Sequence, residues 1–241
     1  MKVNVCLTSI YDNLGILEPC LFSLCRQTRA PDKIVLCLST EPYLLDKGFP
    51  NFDIPNWLKE LPIEILWTEN TGPFRKLLPL LERLWNSDEI IITVDDDTVY
   101  NRNLVETMVA EYEKTGCCIA CRCTYSGDPL TNEYTSGKAL LRHVYNYHTG
   151  KGAVLYHPSM FKRVGATDVF DKAYMELCPT ADDHWFNLWR MYNGVECVAL
   201  KFKYMMHENT NKELSLYHNF NEERNVRLYR STADYIFSRK I

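Results

Sequence analysis

Short apolar runs of strand length alternate along the chain with segments whose apolar residues recur at helical spacing. Val3 to Ile10, Lys33 to Leu38 and Ile63 to Trp67 read as strands, and Leu17, Leu21 and Leu24 mark one face of a helix over Leu17 to Gln27. Thr71-Gly72-Pro73 opens a predicted helix from Phe74 to Trp85, with proline at an early position where its missing N–H does no harm. Glu89 to Val94 is an almost continuous apolar run, the pattern of a strand buried on both faces in the middle of a sheet. Beyond it come a predicted helix from Asn103 to Lys114 and a cysteine-bearing strand at 117–123. Residues 124–152 form a polar stretch long enough to expect a functional loop. A strand over Ala153 to Tyr156, a helix over Ala181 to Tyr192 and a strand over Val195 to Leu200 follow. The last 20 residues, with Arg224, Arg227 and Arg230 three apart, read as a surface helix. Alternation of this kind predicts an α/β fold with a mostly parallel central sheet and crossover helices. The 241 residues suit one domain of that type.

Composition narrows the function by exclusion. The formal net charge is -4 and the lysines and arginines are scattered, so no nucleic-acid partner is expected. No apolar run reaches the roughly 20 residues a bilayer span requires. The first residues read as a strand rather than as the apolar core of a signal peptide. Ten cysteines without such a signal imply reduced thiols and a cytoplasmic location. Four of them cluster as Cys117-Cys118-Ile119-Ala120-Cys121-Arg122-Cys123, yet no second CxxC stands at zinc-site spacing. The expectation is a buried strand that uses cysteine as a small apolar residue.

The candidate chemistry begins at Asp95-Asp96-Asp97, which ends the Glu89–Val94 strand. Three adjacent carboxylates at a buried strand end repel one another, and a cation relieves that cost. Alternation along an extended chain turns Asp95 and Asp97 the same way. Oxygen-only ligands suit Mg²⁺ or Mn²⁺, which typically also bind substrate phosphates. An EF-hand reading fails because Tyr100 and Val99 occupy loop positions 6 and 5, and a strand precedes the loop. A second acidic pair, Asp182-Asp183, opens the Ala181–Tyr192 helix. Thr180-x-x-Asp183 has capping-box spacing, and the helix macrodipole favours both acids in their ionised form. On that reading Asp183 is ready to accept a proton but only weakly basic.

Several segments together carry a family resemblance. Ser23-Leu24-Cys25-Arg26-Gln27-Thr28 with Pro31 and Ile34-Val35-Leu36, Thr71-Gly72-Pro73-x-x-Lys76-Leu77-x-Pro79, the run from Ile90 into Asp97, Gly152 to Pro158, and Ala181 to Phe186 resemble family-2-like glycosyltransferases in content and order. The pattern is similar to capsule-type bacterial enzymes and to chlorella-virus enzymes that glycosylate capsid protein. The resemblance implies a GT-A fold (Rossmann-like, of the nucleotide-diphospho-sugar transferases) in one domain. Its nucleotide-binding half would be about residues 1–100 and its acceptor-binding half about 101–241. The resemblance also implies Mn²⁺ or Mg²⁺ and a nucleotide-sugar donor, a UDP-sugar first, with GDP- and dTDP-sugars as alternatives. The acceptor would be a glycan or glycoprotein, in the host cytoplasm for a viral enzyme. One departure is plain: relatives end the second strand with an acidic D-D-G-S turn, and this chain has Cys37-Leu38-Ser39-Thr40.

The same resemblance distributes roles. Asp97 would bind the metal directly and Asp95 the metal or ribose, with Asp96 the middle residue of the motif, facing away from the metal. Lys76 would touch the nucleotide or diphosphate, and Thr8, Ser9 and Tyr11 would seat the nucleoside. His207 would be a third metal ligand. Asp183, with Asp182 as fallback, would be the base of an inverting displacement. Trp185 and Trp189 read as core, with Trp185 a possible sugar platform, and Tyr145, Tyr147, His148 and Lys151 mark a region that lines the sugars. A sugar-phosphate nucleotidyltransferase would need a Gly-rich loop after the first strand, and residues 8–16 hold only Gly15. An inactive glycan-binding domain would have no reason to keep Asp95, Asp97 and Asp183 together.

Overall fold

The computed structural model describes residues 1–131, 137–162, 168–209, 212–221 and 224–238. The first half alternates β1 (Val3–Thr8), α1 (Leu14–Cys25), β2 (Lys33–Leu38), α2 (Asn56–Lys59), β3 (Glu64–Trp67), α3 (Leu78–Arg83) and β4 (Ile90–Thr93). The chain continues through β5 (Thr98–Tyr100), α4 (Leu104–Thr115), β6 (Cys118–Ala120), β7 (Cys123–Tyr125), β8 (Gly137–Lys138), β9 (Arg142–His143), β10 (Asn146–His148) and β11 (Val154–Tyr156). It closes with α5 (Tyr174–Leu177), α6 (Asp182–Tyr192), β12 (Cys197–Ala199), β13 (Met205–Glu208) and α7 (Asn225–Phe237).

Eight strands form the central sheet in the order β3-β2-β1-β4-β11-β6-β12-β9. β3, β2, β1 and β4 run parallel to one another, whereas β11 runs antiparallel between β4 and β6. β4 is buried along its whole length, as its apolar run requires. Its side chains alternate between two cores: Ile91 joins Cys6, Phe74 and Trp185 on one face, and Ile90 and Ile92 join Val5, Leu21 and Val105 on the other. Cys118 packs in the first of these cores, which is the small-apolar role expected of the cysteine segment. All ten cysteines are free thiols. No helix among the described residues is long and apolar enough to cross a membrane.

Several expectations change. The predicted helix over Phe74 to Trp85 is a tight 3₁₀ turn at Gly72–Lys76 followed by α3, with a break at Leu77 (φ -130°). An uninterrupted helix would drive the Pro79 ring into the Arg75 carbonyl. The cysteine strand divides into β6, in the central sheet, and β7, which joins β10 and β8 in a three-stranded sheet. That small sheet and β9 occupy the stretch expected to be a loop, although residues 132–136 lie outside the described part. The two expected halves share one sheet, because β11, β6 and β12 extend it past β4. The last helix is not wholly a surface one: α7 exposes Arg224, Arg227 and Arg230 at its start and flank but buries Tyr229, Ala233 and Ile236.

Trp185 anchors α6. Its ring is fully buried, its indole N–H donates to the Val169 carbonyl at 2.8 Å, and it packs edge-on against Tyr174 and Trp189. The Trp185→Ala variant is expected to lose about 3–5 kcal/mol of stability in urea unfolding, with an unchanged m value.

Candidate active site

The C-terminal ends of β1 and β4 lie side by side and open into a cleft of about 600 Å³. This is the edge at which open α/β sheets take their ligands. The aspartate triplet enters it immediately after β4. Its backbone is fixed from below, with the Asp95 N–H donating to the Tyr100 hydroxyl at 2.9 Å and the Cys20 thiol donating to the Asp95 carbonyl at 3.3 Å. Asp96 turns toward the β1–α1 connection, where it accepts from Ser9 Oγ at 2.5 Å and Asn13 Nδ2 at 3.1 Å. Burial pushes its carboxyl up to about 6, against the lowering effect of those two donors. Asp97 accepts from the Thr98 hydroxyl at 3.1 Å, and its carbonyl accepts from the Asn209 N–H at 2.8 Å, tying the triplet to β13.

Lys76 joins this acidic wall to the opposite one. Its Nζ stands 3.2 Å from Asp95 Oδ1 and 3.2 Å from Asp182 Oδ2, at the first residue of α6. Burial opposes the charge on the ammonium, but Asp182, Asp95 and Asp183 outweigh it and hold the group well above the usual lysine range. The 3₁₀ turn that replaces the predicted helix is what places Lys76 here.

Asp183 Oδ1 accepts the Gly150 N–H at 2.6 Å, and Asp183 is among the residues that line the cleft. Burial and the adjacent Asp182 push its carboxyl up to about 8, overriding Lys76 and the Gly150 amide. Asp183 is therefore more basic than the helix macrodipole alone would make it, because desolvation and a like charge exceed the dipole. Asp182 is raised as well, first by burial, with Lys76 opposing. The capping box does not form. The N-cap position is Ala181, without a side-chain cap. Thr180 Oγ1 instead donates to Asn221 Oδ1 at 2.5 Å, fastening the segment before α7 beside the acidic pair.

The remaining expected residues divide. Thr8 and Ser9 line the cleft, with Thr8 Oγ1 donating to the Cys37 carbonyl at 2.9 Å. Tyr11 does not line it. Its exposed ring turns away and packs edge-on against Phe49, because residues 11–13 form a 3₁₀ turn leading into α1. His207 is likewise corrected: it is exposed on β13, opposite Val99, and is not among the residues that line the cleft. The alternation of the strand turns its neighbour Glu208 inward instead, where it pairs with Lys151. Trp185 and Trp189 are core. Of the expected sugar-lining region, Tyr147 and Lys151 reach the cleft, whereas Tyr145 and His148 do not. His148 is buried against the Tyr156 hydroxyl and Asn187, and burial lowers its imidazole to about 3.

One buried pair has no counterpart in the sequence reading. Asp46 accepts from Arg75 Nη2 at 2.7 Å, from Asn70 Nδ2 at 3.0 Å and from the Gly48 N–H at 2.9 Å. Both partners of the ion pair are almost fully buried and both line the cleft. Asp46 stands in an irregular loop eight residues beyond β2, so no periodicity marks it. Arg75 was hidden inside a segment that read as an ordinary helix.

The family model for glycosyl transferase family 2 matches residues 6–170. The chain belongs to that family. The matched span holds the triplet and Lys76 and stops short of Asp182 and Asp183, whose placement rests on the geometry. No curated protein matches the chain. Among solved structures the chain is similar to residues 1–349 of S. aureus TarS, at 13% identity and a TM-score of 0.55, covering 100% of this chain and 73% of that one. It is similar also to 4-diphosphocytidyl-2C-methyl-D-erythritol synthase from Anaerococcus prevotii, at 15% identity and a TM-score of 0.56, covering 92% and 99%. At such identities these likenesses establish the fold. For a family 2 chain that fold is GT-A, in a single domain.

The ¹³C-carboxyl resonance of Asp183 is expected to titrate near pH 8 in the protein alone. Because Lys76 lowers that value, Lys76→Met is expected to move the midpoint higher. A midpoint near 4 in the unsubstituted chain contradicts the assignment.

Proposed function

We propose that the protein transfers a sugar from a nucleoside diphosphate to a hydroxyl of a glycan or glycoprotein acceptor, with a divalent cation and with inversion at the anomeric carbon. The observation that carries the reading is the placement of the aspartate triplet and Asp183 on opposite walls of one cleft, with Lys76 between them. Family membership supports a nucleotide-sugar donor. Cation, donor and stereochemistry are inferred from the site.

The donor set fits Mn²⁺ or Mg²⁺. Asp95 and Asp97 offer oxygen ligands at the cleft surface, with Glu208 nearby on β13. No ready-made cluster of three or more His, Cys, Asp or Glu stands among the described residues. A cation here would have to take the rest of its coordination from substrate phosphate and water. When bound, it would supply charge neutralisation for the leaving diphosphate.

The rest belongs to the chain's own residues. Lys76 lies where it can donate to the diphosphate as negative charge develops. Thr8 and Ser9 on one side and the Tyr43–Asp46 loop on the other frame a nucleoside pocket, with the Asp46–Arg75 pair at its floor in place of the missing acidic turn. UDP is the first nucleotide to test, followed by GDP and dTDP. Asp183 takes the proton of the acceptor hydroxyl. The acceptor oxygen then bonds to the anomeric carbon, and the bond to the diphosphate oxygen breaks with its electron pair leaving on phosphate. A base within reach of an incoming hydroxyl is what single displacement needs. The motif likeness points to capsule polysaccharide or capsid glycoprotein as acceptor classes, in a cytoplasmic setting.

A screen of nucleotide sugars for Mn²⁺-dependent hydrolysis tests the reading. Turnover of at least one donor is expected, and it disappears in Asp97→Ala. If none is turned over while a nucleoside triphosphate and a sugar phosphate yield pyrophosphate, the protein is a nucleotidyltransferase instead.

Two further outcomes concern the base. Asp183→Asn is expected to bind the donor nearly as well as the unsubstituted chain yet to lose transfer by 10²-fold or more, on the order of a general base's contribution. Because the ionised carboxylate is the active form, kcat/KM should fall as pH drops below about 8. Normal turnover by Asp183→Asn would shift the role to Asp182.

A further inference from the structure

The turn between β10 and β11 is held more firmly than its length of five residues suggests. At its start Asn187, fully buried on α6, accepts the His148 N–H at 3.0 Å and donates to the His148 carbonyl at 2.8 Å and to the Asp183 carbonyl at 2.7 Å. The end of β10 is thereby tied to the first turn of α6. The Thr149 N–H donates to the Arg122 carbonyl at 3.1 Å, and Lys151 pairs with Glu208 across the cleft. At the far end Gly152 (φ 113°) and Ala153 (φ 136°) both adopt backbone conformations that favour glycine. A Cβ at Gly152 would stand 3.0 Å from the Tyr204 ring, so that end of the turn is also closely packed.

Gly150 sits in the middle of this clamped turn and meets the reacting side of the molecule. Its N–H donates to Asp183 Oδ1 at 2.6 Å. A Cβ added there would stand 3.0 Å from Asp183 Oδ1 and would overlap the Lys76 ammonium. Gly150 has no positive φ to require glycine, unlike Gly152. A larger residue would instead press on the Lys76 ammonium, which could make room only by leaving its contacts with Asp95 and Asp182.

We infer that Gly150 is a positioning residue for the base of the proposed transfer. Its amide fixes one carboxyl oxygen of Asp183 so that the other faces the acceptor, and its bare Cα admits the Lys76 ammonium between the two acidic walls. The inference rests on Asp183 as the base, and no step of the reaction passes through Gly150 itself. A preorganised donor of this kind limits the freedom of the carboxyl before substrate arrives, which is where a displacement of about 1 Å would cost on the order of 10²-fold in rate.

The test needs no substrate, so it is independent of whether the protein proves to be a glycosyltransferase. Glycine-selective ¹⁵N labelling of the full chain, with ¹³C at threonine, narrows the signals to Gly72, Gly116 and Gly150, the three glycines that follow threonine, and the one lost in Gly150→Ala is the Gly150 amide. Its proton is expected downfield in the unsubstituted protein, further downfield as Asp183 ionises, and displaced upfield in Asp183→Asn. An amide shift indifferent to pH and to Asp183→Asn would overturn the inference. The second leg is a double-mutant cycle read by thermal melting. Gly150→Ala is expected to lower Tm by about 2–4 °C or more in the unsubstituted chain and by clearly less beside Lys76→Ala, which vacates the space. Equal losses in both backgrounds would show that Lys76 does not set the need for glycine.

Discussion

One ammonium shared between two carboxylates from opposite walls of the cleft determines most of the site. Lys76 stands 3.2 Å from both Asp95 and Asp182. Without it, five aspartates would face one another across a partly desolvated cleft. A pair of like charges 4 Å apart at an effective dielectric of 20 costs about 4 kcal/mol. The pairing is asymmetric. Lys76 can serve only two or three of the five, so Asp96 turns to Ser9 and Asn13, and Asp183 turns to a backbone amide. Those donors only partly offset burial, which leaves both acids less acidic than usual. In Asp183 that cost becomes the property that a proton acceptor at neutral pH needs.

The surrounding fold works to keep that ammonium in place. Pro79 stops a helix that would otherwise run through residue 76, and the resulting 3₁₀ turn directs Lys76 into the cleft. The neighbouring Arg75 is neutralised by Asp46 in a buried pair, so two adjacent basic residues serve two different walls. α6 presents Asp182 and Asp183 from a helix whose remaining residues are almost all buried, with Trp185 fastened to the Val169 carbonyl. The acids thus sit on a rigid element, and the turn that contacts them is clamped to it by Asn187.

What could be read from the sequence follows from which interactions are local. Strand β2 matches its predicted span, and β4 lies within its predicted run, because a continuous apolar segment buried on both faces leaves little ambiguity. The aspartate triplet and the Asp182-Asp183 pair were legible as short strings at the ends of such elements. The fold class was legible for the same reason. Harder to read was anything decided across the chain. Nothing adjacent to Asp46 announces its pairing with Arg75, 29 residues away. Thr180 has the spacing of a capping residue, and only the arrival of Asn221, 41 residues later, draws its hydroxyl elsewhere. His207 and Glu208 differ by one position on a strand, and the pairing of β13 with β5 decides which of them faces the cleft. The basicity of Asp183 was misjudged because a helix-end argument counts the dipole and not the burial.

Crystals grown with Mn²⁺ and UDP, measured at the manganese absorption edge, test the central claim most directly. The account predicts one anomalous peak between Asp95 and Asp97, a diphosphate in contact with both that peak and Lys76, and an Asp183 carboxyl left open toward the acceptor side. A manganese peak away from the triplet, or a diphosphate bound without contact to Lys76, would contradict it.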